Sequence, residues 1–255
     1  MAGKQPGILP EKYLAQLSAS GKLSDVVLIS RGGHEFKMHK VILCAHSSYF
    51  RSVLENTKNS NGICRRTLDE DPSVLQRMMD YIYKDAYMPP SAASNAFNAT
   101  KIHVNAYAAG HKFGVYGLKD YATDNFHDAI IKRWDDARQV MPAIVRNVYG
   151  RHHNTADIKH ALLRICADHR KELESDQAFH GVLAELPEFL KEFWLFMQGS
   201  WVPSTSRILN TACFSCKRKI FVVMEDPLSD IYCPKCGKSN YRHGLLFRDV
   251  HSKRA

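Results

Sequence analysis

The chain has 255 residues, 45% of them apolar and 24% charged, with 14 Gly and 10 Pro; these values leave room for one large or two to three small domains and exclude collagen-like, repetitive and wholly disordered chains. Its longest run free of Asp, Glu, Lys and Arg, residues 86–100, is mostly small or polar and falls short of the roughly 20 apolar residues that span a bilayer, so no membrane partner is expected. The net charge of +9 is uneven, with 10 Lys and Arg against 4 Asp and Glu between Arg207 and Ala255, and 25 against 22 in residues 1–206.

The N-terminal residues MAGKQPGILPEKYL lack the apolar stretch of a secretory signal. The expected setting is therefore intracellular, nucleus or cytoplasm, where the seven cysteines do not by default form disulfides. In DVVLIS and HEFKMH, on either side of Arg31-Gly32-Gly33, the pattern predicts a β-hairpin, its glycines supplying the positive φ of a tight turn. Val26, Val27, Leu28 and Ile29 are apolar on both faces and predict a strand covered by helices, whereas Phe36 and Met38 alternate with polar residues.

Val41, Ile42, Ala45, Tyr49, Val53 and Leu54 then recur at helical intervals, interrupted at His46-Ser47-Ser48, which predicts two short helices. A third strand is expected near Ile63 to Leu68. Asp71 as N-cap and Pro72 in the first turn open a helix with Val74, Leu75, Met78, Met79 and Ile82 on one stripe. Met88 to Thr100 reads as a surface loop, and the chain beyond it as helical to about Gln198. Within that stretch Val115 to Trp134 predicts one amphipathic helix, Ile158 to Leu173 another, and the residues after Pro187 a last one.

The segment DVVLIS…HEFKMHKVILCAHSSYFRSVL, with Asp25 before the first strand, His39-Lys40 after the second and Ser48-Tyr49-Phe50 in the following helix, resembles the BTB/POZ domain. DPSVLQRMMDYIYKDAY and AYAAGHKFGVYGLKDYATDNF are similar to that family's later helices. The resemblance implies an α+β chain: a BTB/POZ domain over 20–135 with a short three-stranded sheet packed with helices, an all-α extension over 136–200 like that of fungal BTB proteins, and a linker at 201–209. It further implies a non-enzymatic interaction adaptor that forms a homodimer through the BTB domain or recruits protein partners, among them the cullin scaffold of a ubiquitin ligase. Asp25, His39 and Lys40 are the candidate interaction residues, because in dimeric family members the positions matching Asp25 and Lys40 lie near a charged groove at the subunit interface. The alternative is that Asp25 and Lys40 form an intramolecular pair or cap elements, and that His39 is a buried hydrogen-bonded residue. The hydrophobic-x-Glu signature of strong cullin binders is represented by Val53-Leu54-Glu55, at the end of the predicted helix.

The C-terminal segment 210–250 carries Cys213-x2-Cys216 and, 16 residues on, Cys233-x2-Cys236, a spacing that predicts a zinc site. Each two-residue spacer lets a tight turn aim two thiolates at one ion, and four protein ligands leave no open position, so structural Zn2+ is expected in a small β ribbon. The segment resembles a zinc ribbon, and about 40 residues bury too little apolar surface to fold without such a brace. Two redox CxxC pairs are the alternative, without the βαβ setting such motifs use. Cys44 and Cys166 are expected as small core residues; His152-His153 is expected as solvated loop.

The same segment interleaves Lys217, Arg218, Lys219, Arg242 and Arg248 with Phe214, Phe221, Tyr232 and Tyr241, so a transcription or chromatin regulator that contacts nucleic acid is the alternative function. Four ionised thiols around Zn2+ would lower the local charge and weaken that reading. No Gly-rich phosphate loop, nucleophile elbow or HExxH motif is present, and no catalytic residue is assigned.

Overall fold

β1 (Val26–Ile29) and β2 (Glu35–Met38) pair antiparallel, Val26 opposite Met38 and Ile29 opposite Glu35. Gly32 and Gly33 both adopt φ of +86°, and the turn closes through Gly33 N–H to Ser30 O at 3.0 Å and Ser30 N–H to His34 O at 2.9 Å. In this computed structural model the described residues are 11–55, 62–88, 95–150 and 155–199, with four strands between 207 and 240. β3 (Cys64–Thr67) lies parallel to β1 on its other side, giving the order β2-β1-β3. Val26, Val27 and Leu28 in the central strand are buried, and on β2 only Phe36 and Met38 are, as the two patterns predict.

The connection from β2 to β3, which passes from one side of β1 to the other, carries α2 (Lys40–His46) and α3 (Ser48–Leu54). Ser47 breaks them: its backbone is extended, and its hydroxyl accepts from Phe50 N–H and donates to Phe113 O at 2.5 Å. Gly114 fits here because its φ is +54° and a Cβ would overlap the Ser48 hydroxyl. α4 (Pro72–Lys84) starts as expected, with Asp71 Oδ1 accepting from Ser73 N–H at 2.8 Å, and buries Val74, Leu75, Met78, Met79 and Ile82. α1 (Glu11–Ser20), which no pattern flagged, packs on α4.

α5 (Ala96–Lys112) begins inside the expected loop, where Asn95 Oδ1 accepts from Asn98 N–H at 2.9 Å and caps it. The predicted 115–134 helix is shorter, α6 (Leu118–Ile131): Val115 instead bridges to Ser47, and Trp134 opens α7 (Trp134–Gln139). After α8 (Met141–Tyr149), the second predicted helix is also divided, into α9 (Ala156–Asp168) and α10 (Arg170–Leu173) on either side of His169. α11 (Gln177–Glu185) and α12 (Pro187–Met197) follow. α6 packs on α5 and α9, and α8 on α5, α9 and α11, around Phe126, Ile130, Ile144, Val148 and Leu162, all fully buried.

The chain divides into two units, 1–194 and 195–255. In the second, β4 (Arg207–Ala212) and β5 (Lys219–Met224) form one antiparallel hairpin, and β6 (Ile231–Tyr232) and β7 (Ser239–Asn240) another.

Candidate interaction surface

Asp25, His39 and Lys40 come together where the hairpin meets α2 and α4. Asp25 Oδ1 accepts from the backbone N–H of Lys40 at 2.7 Å, while Asp25 N–H donates to Met38 O at 3.2 Å and Asp25 O accepts from Cys64 N–H at 2.8 Å. A carboxylate at the first N–H of a helix satisfies one orphan donor and opposes the positive end of the helix dipole. His39, which precedes α2, makes no such bond with its own side chain.

His39 is buried. Its Nδ1 lies 2.8 Å from Tyr83 Oη, its Nε2 lies 2.7 Å from Lys22 O, and its N–H donates to Tyr83 Oη at 3.0 Å. The carbonyl of Lys22 can only accept, so Nε2 carries a proton and the imidazole joins α4 to the turn after α1. Burial pushes the Tyr83 hydroxyl up to about 12, so it remains a protonated donor. Lys40 is half-buried, and its Nζ donates to Glu55 O at 3.4 Å. The three residues thus have intramolecular partners, with Asp25 and Lys40 retaining part of their surface.

Beside them, α1 and its following turn frame an open groove of about 950 Å3 lined by Tyr13, Leu17, Ser20, Lys22 and Leu23. Leu23 is 80% exposed with φ of +61°, a conformation that costs an L residue with a bulky side chain about 1–2 kcal/mol. Sequence patterning missed both this residue and Tyr83. A single leucine carries no periodicity, and the imidazole–phenol contact joins residues far apart in the chain. Val53-Leu54-Glu55 ends α3, with Leu54 fully buried and Glu55 exposed.

Cys166 is buried, and burial pushes its thiol well above the ordinary range; Cys44 is half-buried rather than in the core, its Sγ 3.7 Å from Phe50 O. Cys213, Cys216, Cys233, Cys236 and His152-His153 lie outside the described residues. The flanking strands are described: Ala212 pairs with Lys219, and Tyr232 with Ser239. Each CxxC therefore begins at the first residue of a six-residue connection within its own hairpin, residues 213–218 and 233–238. Four soft thiolates on two equivalent short connections form a donor set that suits Zn2+. Among the described residues no group of three His, Cys, Asp or Glu is placed to hold a metal ion, and no helix is long and apolar enough to cross a membrane.

Residues 14–129 match the family model of the BTB/POZ domain. The chain is 24% identical over 161 residues to TD and POZ domain-containing protein 2 of Mus musculus, covering 63% of this chain and 40% of that protein. It is 34% identical over 71 residues to BTB/POZ and MATH domain-containing protein 6 of Arabidopsis thaliana, 26% of this chain and 17% of that one. With Kelch-like protein 21 of Rattus norvegicus it shares 35% identity over 71 residues, 28% of this chain and 12% of that one. The chain thus spans two fifths or less of the length of these curated relatives.

Proposed function

We propose that this chain, whose residues 14–129 form a BTB/POZ domain, is a non-enzymatic protein-interaction adaptor. The observation that carries the reading is that this domain holds its hairpin, α2 and α4 together through Asp25 and His39 and leaves the strained Leu23 exposed over the α1 groove. Backbone strain at an exposed apolar residue persists where function uses it. The homodimer forms through this domain, and Asp25 and Lys40 lie at the edge of the contact surface. A cullin scaffold is the partner class favoured by the kinship with BTB relatives. The C-terminal unit is braced by one structural Zn2+ on Cys213, Cys216, Cys233 and Cys236, and the protein works inside the cell.

Light scattering on the purified chain tests the dimer. The expected mass is twice the 29.0 kDa of one chain, shifting toward one chain in Leu23→Glu with unchanged circular dichroism. A single-chain mass at every concentration, together with no co-purified cullin, overturns the reading. The basic charge after Arg207 favours nucleic acid as the second reading. That reading requires DNA or RNA binding that weakens as salt rises, with a slope set by the phosphates neutralised.

A further inference from the structure

α12 stands apart from the helices before it. Among its eleven residues only Phe189 and Glu192 are buried. Leu190, Trp194 and Met197 are 46%, 62% and 38% exposed, although helices this rich in apolar residues are ordinarily covered. Its two buried residues sit in an aromatic cluster and in a polar network. Phe189 meets Tyr149 edge-on at 5.1 Å and Phe179 at 6.0 Å.

The polar network is centred on Lys159 of α9, 9% exposed, and Glu192, 8% exposed. Lys159 Nζ is 2.6 Å from Glu188 Oε1 and 3.7 Å from Glu192 Oε1, and it lies over the Tyr149 ring at 4.3 Å. Tyr149 Oη donates to Glu192 Oε2 at 2.8 Å. Burial, and then the charge of Glu192, push the Tyr149 hydroxyl far above its ordinary value, so it stays a protonated donor. A buried ion pair of this kind contributes little net stability against an apolar replacement, but removing one partner strands the other charge.

We propose that α12 is a strap that opens as a unit of its own, separately from α8 and α9, with the Lys159–Glu192–Tyr149 network as its latch. The geometry fits this role: of the two buried residues of the helix, Phe189 is the apolar anchor and Glu192 belongs to the polar network. The strap is also the segment through which the chain passes toward β4 to β7. Opening turns a helix of eleven residues, about 16 Å long, into a tether of up to about 36 Å.

Hydrogen exchange read by mass spectrometry on the full chain tests this. Under native conditions the amides of 190–197 should exchange at least tenfold faster than those of α8 and α9. Lys159→Met should raise α12 exchange at least a further tenfold while leaving α8 within about twofold. The triple variant Lys159→Met/Glu192→Leu/Tyr149→Phe, which leaves no stranded charge or hydroxyl, should restore wild-type protection. Equal exchange of α12, α8 and α9 in the wild-type chain overturns the proposal, and this comparison decides even if Lys159→Met fails to fold. It is equally overturned if Lys159→Met leaves α12 unchanged, or speeds α8 and α9 by the same factor as α12.

Discussion

The carboxylate of Asp25 caps α2 from outside the helix: its Oδ1 accepts from Lys40 N–H at 2.7 Å, where the preceding residue, His39, turns its own ring toward Tyr83 and Lys22 instead. One acidic residue before β1 therefore fixes where the helix after β2 begins. Asp25→Ala should cost about 1–2 kcal/mol, the usual loss for a missing cap. Asp25→Asn, which keeps the acceptor oxygen, should cost less than half of that in urea unfolding.

Leu23 occupies the left-handed region with its side chain in solvent. Leu23→Gly removes the conformational penalty and should stabilise the chain by about 1 kcal/mol, a rise of about 2–4 °C in Tm. If the groove beside it is the contact surface, the same substitution weakens self-association, which light scattering reads independently of Tm.

Gly114 joins α5 to the bridge between Ser47 and Val115. Gly114→Ala meets both a positive φ and the Ser48 hydroxyl and should destabilise by about 2–3 kcal/mol. In the background Ser48→Ala the steric part disappears and about 1 kcal/mol of backbone cost remains. A double-mutant cycle with no coupling between the two positions contradicts this account.

His103 is 3% exposed, with Nδ1 at 2.8 Å from Tyr87 Oη. Burial first, and then Arg77, push its pKa down to about 4 from 6.5. Between these values the unfolded chain binds the proton that the folded chain refuses, so stability rises with pH across the window and falls as pH drops from 6.5 towards 4. The shift corresponds to about 3 kcal/mol at the acid end. His103→Asn, which keeps an acceptor for Tyr87, should flatten the urea midpoint across that range relative to wild type.

The four cysteines predict one zinc per chain by elemental analysis. Chelation should abolish the β signal of 207–240 in exchange or NMR while leaving α4 to α9 protected, because metal binding supplies folding free energy to a module this small. Cys233→Ser should lower zinc content to well below one per chain.

Much of the N-terminal fold was legible because its signals are local. Arg31-Gly32-Gly33 gives the turn, Asp71-Pro72 the start of α4, and His46-Ser47-Ser48 the break between α2 and α3. Helix limits in the α-rich half were not legible where tertiary contacts set them: Val115 keeps helical spacing with Leu118 but is drawn into a bridge with Ser47, and His169 stacks on Trp134 at 3.7 Å between α9 and α10. Of the candidate site, the residues Asp25, His39 and Lys40 could be named, but not the roles of Tyr83 and Lys22, which come from elsewhere in the chain. Lys159 and Glu192 read as ordinary surface charges in their own helices, and only the packing of α12 against α8 and α9 buries them.

β1 pairs with the nearby β2 on one side and, on the other, with β3, which follows only after α2 and α3. Until β3 pairs with it, β1 has a neighbour on one side only, and Val26, Val27 and Leu28 lie on an open, apolar edge. Such an edge is a template for pairing with a neighbouring chain, and it closes only when the ribosome has released Cys64 to Thr67. Arg65 and Arg66, exposed on the strand that arrives last, then leave the finished sheet with a charged border that resists further addition. Substitutions that delay β3 should raise aggregation in the cell even where the folded protein loses little stability.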